Sequence, residues 1–352
     1  MIHEPNLRVV DLFCGAGGLS LGFRSAGFEI VGGIDSDVSS VQTYSENFGP
    51  AKAIAADLSQ VSSTEVAKSL GVSRVDVIVG GPPCQGFSVA GKRIESDNRN
   101  DLYRHYLDIV GELQPSAVVI ENVPTIRSLY GGRVALEIEA GLLALGFEVA
   151  TAVLNASHFG VPQARRRLFF VAVRSGLPRF TFPEPRSSAV VTCEDALSDL
   201  PSLAHEPGLP VTRYESKPAT QYQRRMRRGS KLLYNHEAVL HKPETVRIIS
   251  MVPDGGNYKS LPKHLHGTRK VNIAWTRMNS RKPSFTIDAG HNHHFHYSHN
   301  RVPTVRECAR IQSFPDTFRF LGNRTSQYRQ VGNAVPPRLA EAIAIEIKKV
   351  LT

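Results

Sequence analysis

The sequence predicts an α/β chain: a doubly wound, mostly parallel sheet, a smaller irregular domain after it, and a last segment that returns to the sheet. Three observations carry this. Apolar runs of strand length alternate with stretches of helical period from Arg8 to Val173. Several of those strands end in glycine or a carboxylate, residues suited to the carboxyl edge where open sheets bind ligands. After Arg174 the alternation stops, and Pro178, Pro183, Pro185, Pro201, Pro207 and Pro210 interrupt the chain. The expected domains are therefore 1–173, 174–300 and 301–352.

The first strand is Arg8–Phe13. It runs into Cys14-Gly15-Ala16-Gly17-Gly18 and then a helix from Leu19. Strand, glycine turn and helix make a nucleotide-binding arrangement, although Ser20 stands where the third glycine of G-x-G-x-x-G belongs. The second strand, Phe28–Ile34, ends at Asp35, 20 residues past Gly15. A carboxylate at that interval takes ribose hydroxyls; it also suits a helix N-cap. The third strand, Ala51–Ala56, closes with Asp57, whose carboxylate suits an adenine amine or a turn. A helix over Ser63–Leu70 precedes strand Val75–Val79, which enters Gly80-Gly81-Pro82-Pro83-Cys84-Gln85-Gly86-Phe87-Ser88.

Here two glycines turn the backbone and two prolines stiffen it. One thiol is thereby set at the sheet edge, either as a nucleophile or as a small buried side chain. The polar stretch Gly86–Asn100 reads as a lid. Helix Leu102–Leu113 and strand Ala117–Ile120 follow, the strand capped by Glu121. Helix Val134–Leu145, strand Phe147–Leu154, the run Gln163-Ala164-Arg165-Arg166-Arg167 and strand Leu168–Val173 complete the alternation.

Charge separates the regions. Arg174–Arg301 holds 20 Lys and Arg against 10 Asp and Glu, and the rest of the chain holds 22 of each. The whole net charge of +10 thus sits in the irregular segment, the footprint of a polyanion partner. Its densest run contains Arg224, Arg225, Arg227 and Arg228, read either as phosphate contacts or as a solvated helix face. His291–His299 alternates histidine with aromatic residues like a strand and has no cysteine nearby, so a metal site is not expected. Thr304 and Glu307 form a capping-box pattern ahead of a helix. Tyr328–Pro337 reads as a turn, and Arg338–Leu351 as an apolar helix packing back on the first domain. Four dispersed cysteines argue against a disulfide framework or cysteine zinc site. No membrane span and no secretory signal are expected, which points to the cytoplasm.

Six blocks, in order, resemble the cytosine-C5 DNA methyltransferases: Asp11–Gly18, Gly81–Ser88, Glu121–Val123, Gln163–Arg167, Arg306–Arg310 and Gln330–Pro337. The resemblance spans the chain apart from the basic segment. It implies a Rossmann-like methyltransferase sheet, S-adenosylmethionine as cofactor and double-stranded DNA as substrate. It also implies bacterial restriction–modification, with a separate endonuclease, and a monomeric enzyme. Cys84 is then the nucleophile, Glu121 holds the base, and Arg165 and Arg167 steady the adduct. Phe13, Gly15, Gly17, Leu19, Asp35, Asp57, Pro82 and Asn333 would line the cofactor site. Gln85 and Ser88 join the four arginines on DNA, and 174–300 becomes the target-recognition domain. The Asp35 position more often holds glutamate in the family. A tRNA methyltransferase branch is the nearest alternative, and a catalytically silent DNA-binding relative the next; the retained Gly86-Phe87-Ser88, Cys84 and Glu121 favour an active DNA enzyme.

Overall fold

The computed structural model describes residues 7–49, 51–72, 74–83, 102–185, 190–204, 206–268, 271, 274–288 and 294–352. Two compact units emerge. The first comprises Met1–Asn155, Arg166–Pro185 and Val335–Thr352; the second comprises Ala156–Arg165 and Arg186–Ala334. These units do not coincide with the segments 1–173, 174–300 and 301–352. The chain from Arg301 to Ala334 stays with the second unit, where its arginines are buried, and rejoins the first only at Val335.

In the first unit the strands are β1 (Arg8–Leu12), β2 (Glu29–Asp35), β3 (Lys52–Ala55), β4 (Val77–Gly80), β5 (Ala117–Asn122), β6 (Phe147–Asn155) and β7 (Arg166–Arg174). They form one seven-stranded sheet in the order β3-β2-β1-β4-β5-β7-β6. Helices α1 (Gly18–Ser25), α2 (Val38–Phe48), α3 (Ser63–Leu70), α4 (Leu102–Leu113) and α5 (Arg133–Ala144) connect them. Strand residues alternate between the two faces. Val10, Leu12, Ile78, Val118 and Ile120 join one core with Val66 and Leu70 of α3, Tyr106 and Ile109 of α4, and Ile138 and Leu142 of α5. Each such fully buried aliphatic side chain contributes about 1.5–3 kcal/mol. The other face carries α1 and α2. A final helix (Pro337–Leu351) lies against α1 so closely that a Cβ on Gly22 would sit 2.4 Å from Ala340 Cβ. This helix is part of the first unit.

Strand order reverses between β1 and β4, which places a crevice beyond their carboxyl ends. Gly80 permits the close approach of these strands, since a Cβ there would lie 2.2 Å from the Leu12 carbonyl oxygen. The neighbouring pairs from β3 to β5 are parallel, whereas β7 runs antiparallel to both β5 and β6. That reversal brings the start of β7 to the same edge as the end of β5.

The second unit has few and short elements: α6 (Cys193–Leu197), β8 (Val211–Thr212), α7 (Gln221–Met226), β9 (Leu233–Tyr234), α8 (Pro243–Ser250), β10 (Thr276–Arg277), β11 (His294–Phe295), α9 (Val305–Ile311) and α10 (Arg324–Asn333). The final helix, Pro337–Leu351, is α11. The apolar nucleus of the second unit gathers Ile248, Ile249 and Val252 with Trp275 and Phe295. Ion pairs supply much of the rest. Arg310 is wholly buried and grips Asp316 through two bonds of 2.9 and 2.7 Å, while also pairing with Asp199. Arg306 donates to the carbonyls of Tyr234, Pro315 and Phe318. The capping box at Thr304 and Glu307 forms as the sequence predicts.

The stretch Tyr328–Pro337 is not simply a turn. Its first six residues complete α10, which Asn323 caps by accepting from the Ser326 amide at 2.9 Å. The helix is largely polar, so no apolar stripe announces it. Its polar groups are used inside: Tyr328 donates to the Pro303 carbonyl at 2.6 Å, and Gln330 to that of Leu321 at 3.0 Å. Pro337 then opens α11 at a position where a missing amide costs nothing.

Candidate active site

The glycine turn after β1 is held from two sides. Asp35, at the end of β2, accepts the Gly15 amide on Oδ2 at 2.8 Å and the Asp37 amide on Oδ1 at 2.8 Å. Capping of α2 falls instead to Asp37, which accepts from Ser39 and Ser40. Phe13, Gly15 and Gly17 all have positive φ (58°, 52° and 94°), so the backbone here is bent and held rather than relaxed. A Cβ on Gly15 would meet nothing within 4 Å, which leaves open space beside the turn. Leu19 is buried in α1. Asp57 is exposed and closes a turn with Ser59, whose amide and hydroxyl hold its carboxyl below the usual range.

Beneath the turn lies a residue with no assigned role in the sequence reading. Asp11 is buried in β1 and accepts from the Ser20 amide at 3.2 Å and hydroxyl at 2.6 Å, both on Oδ2. Ser20 Oγ is also 2.8 Å from the Tyr44 hydroxyl. Asp11 Oδ1 has no hydrogen-bond partner among the described residues. Burial pushes its carboxyl up to about 7. The signal in the sequence is a lone acid inside an apolar strand, Val-Val-Asp-Leu.

The second cluster forms where β4, β5 and β7 end together. Arg167 Nε lies 2.7 Å from Glu121 Oε1, and both side chains are largely buried. A Cβ on Gly81 would come within 3.1 Å of Glu121 Oε2, so the carboxylate lies against the Gly81 backbone. Asn122, likewise without a role in the sequence reading, donates to the Pro82 carbonyl at 3.1 Å and ties β5 to the proline segment. Glu121, Arg167 and Pro82 are thus brought to one edge. Cys84, Gln85, Ser88, the Gly86–Asn100 stretch and His291–His293 lie outside the described residues. The three described cysteines are buried. Desolvation pushes the Cys14 and Cys308 thiols up and that of Cys193 to about 12, so none of them is a ready thiolate.

In the second unit, Arg165 is buried, and its guanidinium donates to the carbonyls of Ile287 and Asn333 at 3.1 and 3.4 Å. Gln163 supports the same region by accepting the Ile287 amide at 3.0 Å. Arg166 is exposed, consistent with its opposite direction along the chain. Arg224, Arg225 and Arg228 are exposed on or beside α7. Arg227 differs: it covers the Tyr214 ring at 3.7 Å and pairs with Asp199 at 3.1 Å. Its charge serves the interior. Of the histidine cluster, His296 is buried and pushed down to about 3 by desolvation, and no metal-binding group of three His, Cys, Asp or Glu occurs among the described residues.

The model of the C-5 cytosine-specific DNA methylases matches residues 7–349. The chain belongs to that family. This methylase is 37% identical to the type II methyltransferase M1.HphI of Haemophilus parahaemolyticus, over all of this chain and 89% of the relative. It is also 37% identical to the type II methyltransferase M.DdeI of Desulfomicrobium norvegicum, over 97% of this chain and 88% of that one. Among solved structures it is similar to a DNA modification methyltransferase encoded in an Escherichia coli prophage. That likeness has a TM-score of 0.83 at 27% identity and covers 98% of this chain and 99% of the other. The reaction class of the methylase is DNA cytosine-5 methylation. No helix among its described residues is long and apolar enough to cross a membrane.

Proposed function

We propose that the enzyme methylates cytosine in a specific duplex DNA sequence with S-adenosylmethionine as donor, through a covalent bond from Cys84 to the base. The observation that carries this reading is the Glu121–Arg167 pair against Gly81, at the edge that leads directly to Cys84. Cytosine C5 is a weak nucleophile. Addition of the Cys84 thiolate to C6 moves electron density to C5 and toward N3, and Glu121 holds N3 and the exocyclic amine as that charge develops. Arg167 offsets the burial of the Glu121 carboxylate and fixes its direction. S-adenosylmethionine, when bound, supplies an electrophilic methyl group. Loss of the C5 proton then expels Cys84 and restores the aromatic ring.

The residues at the first three strand ends fit such a cofactor. The bent Phe13–Gly17 turn has open space beside Gly15, and Asp35 and the orphaned Asp11 oxygen supply negative charge. Leu19, Asp57 and Pro82 would border the same site. The base must leave the duplex to reach the thiol, at a cost of a few kcal/mol. The basic second region reads the target, with Arg224, Arg225 and Arg228 on phosphates. Arg165 supports this architecture from the interior. Type II relatives support a place in restriction–modification; in this proposal the enzyme acts as a monomer, with a separate endonuclease.

The test offers labelled S-adenosylmethionine with duplex DNA or with tRNA. Label should enter DNA only; label confined to tRNA defeats the reading. Cys84→Ala should abolish turnover while cofactor affinity stays within a few fold, as measured by calorimetry.

A further inference from the structure

Asp11 is an unusual carboxylate for its depth. It is 1% exposed, has no ion pair among the described residues, and leaves one oxygen without a hydrogen bond. Burial of an uncompensated carboxylate is costly, and the ordinary solution is to keep a proton. The groups around it confirm the sign of the local field. Asp35 at the end of β2 raises its proton affinity, and the Ser20 amide and hydroxyl of α1 lower it. The Cys14 thiol from the turn, the Tyr44 hydroxyl from α2 and the Tyr106 hydroxyl from α4 are pushed up chiefly by burial, and the Asp11 charge adds to the shift. Arg24, on α1, is drawn away from Asp11: it lies 4.5 Å over the Phe48 ring and donates to the Asn47 carbonyl. Two acids, Asp11 and Asp35, therefore flank one strained glycine turn with no described cation paired to Asp11.

S-adenosylmethionine carries a sulfonium and an ammonium against one carboxylate, a net cation. Its product, S-adenosylhomocysteine, has the same ammonium and carboxylate but a neutral sulfur. We infer that Asp11 is a positioning residue that favours the cationic methyl donor over the neutral product, and that donor binding drives a proton off its carboxyl. It acts through Ser20, where it holds the first turn of α1 directly after the glycine turn that Asp35 holds at Gly15. No bond is made or broken except the O–H of Asp11, whose proton passes to solvent. This inference rests on the cofactor reading above.

Isothermal titration calorimetry in two buffers of different ionisation enthalpy tests it without turnover, on the whole chain. At pH 6.5 the wild type should release a substantial fraction of a proton on binding S-adenosylmethionine and little on binding S-adenosylhomocysteine. From pH 7.5 to pH 6 the dissociation constant of the donor should rise about eightfold, while that of the product changes less than about twofold. Asp11→Asn should remove both the release and the pH dependence. If that variant does not fold, Ser20→Ala serves, because loss of the hydroxyl donor moves the proton release to higher pH. Binding without proton exchange in the wild type, proton release that persists in Asp11→Asn, or a Ser20→Ala profile that does not move overturns the inference and leaves the cofactor reading standing. Failure of the donor to bind at all overturns both.

Discussion

Asp11 in the first unit and Glu307 in the second are each 1% exposed, yet burial acts on them in opposite directions. Glu307 receives both terminal nitrogens of Arg301 at 2.8 and 2.7 Å and the Thr304 amide at 2.6 Å. These partners outweigh desolvation and hold its carboxyl well below the usual range. Among the described residues Asp11 has only Ser20, and desolvation lifts it to about 7. The second unit thus uses buried charge as architecture: Arg301–Glu307 and Arg310–Asp316 join segments too irregular to share a ladder of backbone hydrogen bonds. The first unit already has its sheet. Asp11, without a cation among the described residues, adds no stability as a charged group, and it sits beside the turn where a cation is expected. Perturbed groups cluster where function resides for this reason.

The largest effect should come from breaking the architectural side. Arg310→Ala leaves Asp316 and Asp199 buried without their shared guanidinium and should cost about 3–5 kcal/mol. Trp275, the sole tryptophan, packs edge-on to Phe295 at 4.9 Å in the same unit, so its fluorescence in urea reads this loss. An unchanged midpoint would show that the network is dispensable.

The next effect is a contrast of sign. Asp11 has its folded proton affinity raised from an ordinary value of 3.8, so its contribution to stability is present at acid pH and is lost as pH climbs to about 7. Asp11→Asn should therefore gain on the wild type over that window, by up to roughly 4 kcal/mol, read from hydrogen exchange of the β1 amides. Glu307 is the reverse. Its contribution is full above its ordinary value of 4.5 and declines as pH falls below it. The deficit of Glu307→Gln should thus be greatest near neutrality and shrink in acid. Parallel pH profiles for the two variants would erase the distinction drawn between them.

Smaller again is Thr304→Ala, which removes one half of the capping box on α9 and should cost about 1 kcal/mol in the same fluorescence assay. Last, Arg224, Arg225 and Arg228 changed together to alanine should leave stability alone and lower the salt dependence of DNA binding by about 3 in log–log slope. Adding Arg227→Ala should lower stability instead, because that guanidinium is spent on Asp199 and Tyr214.

Much of this was written in short range. Strand–helix alternation foretold α3 and α4 to the residue, and the capping box marked the start of α9. The motif blocks pointed to the family that the full-length match bears out. Charge counting located a basic region but could not sort its members, since Arg227, Arg277 and Arg301 look like Arg224 in a list and are buried or paired in the fold. The α10 helix was hidden because its polar residues carry no apolar stripe.

The sequence by itself determined the order of the elements, the glycine and proline punctuation and the family, because these depend on local backbone preference and on side-chain period. Only the tertiary structure decided that β7 reverses direction and so delivers Arg167 to Glu121. It likewise decided that Asp11 pairs with no cation among the described residues while Glu307 pairs with Arg301. Both outcomes turn on partners far away in the chain, and the strength of a buried charge is set by those partners and by the loss of water rather than by its neighbours in sequence.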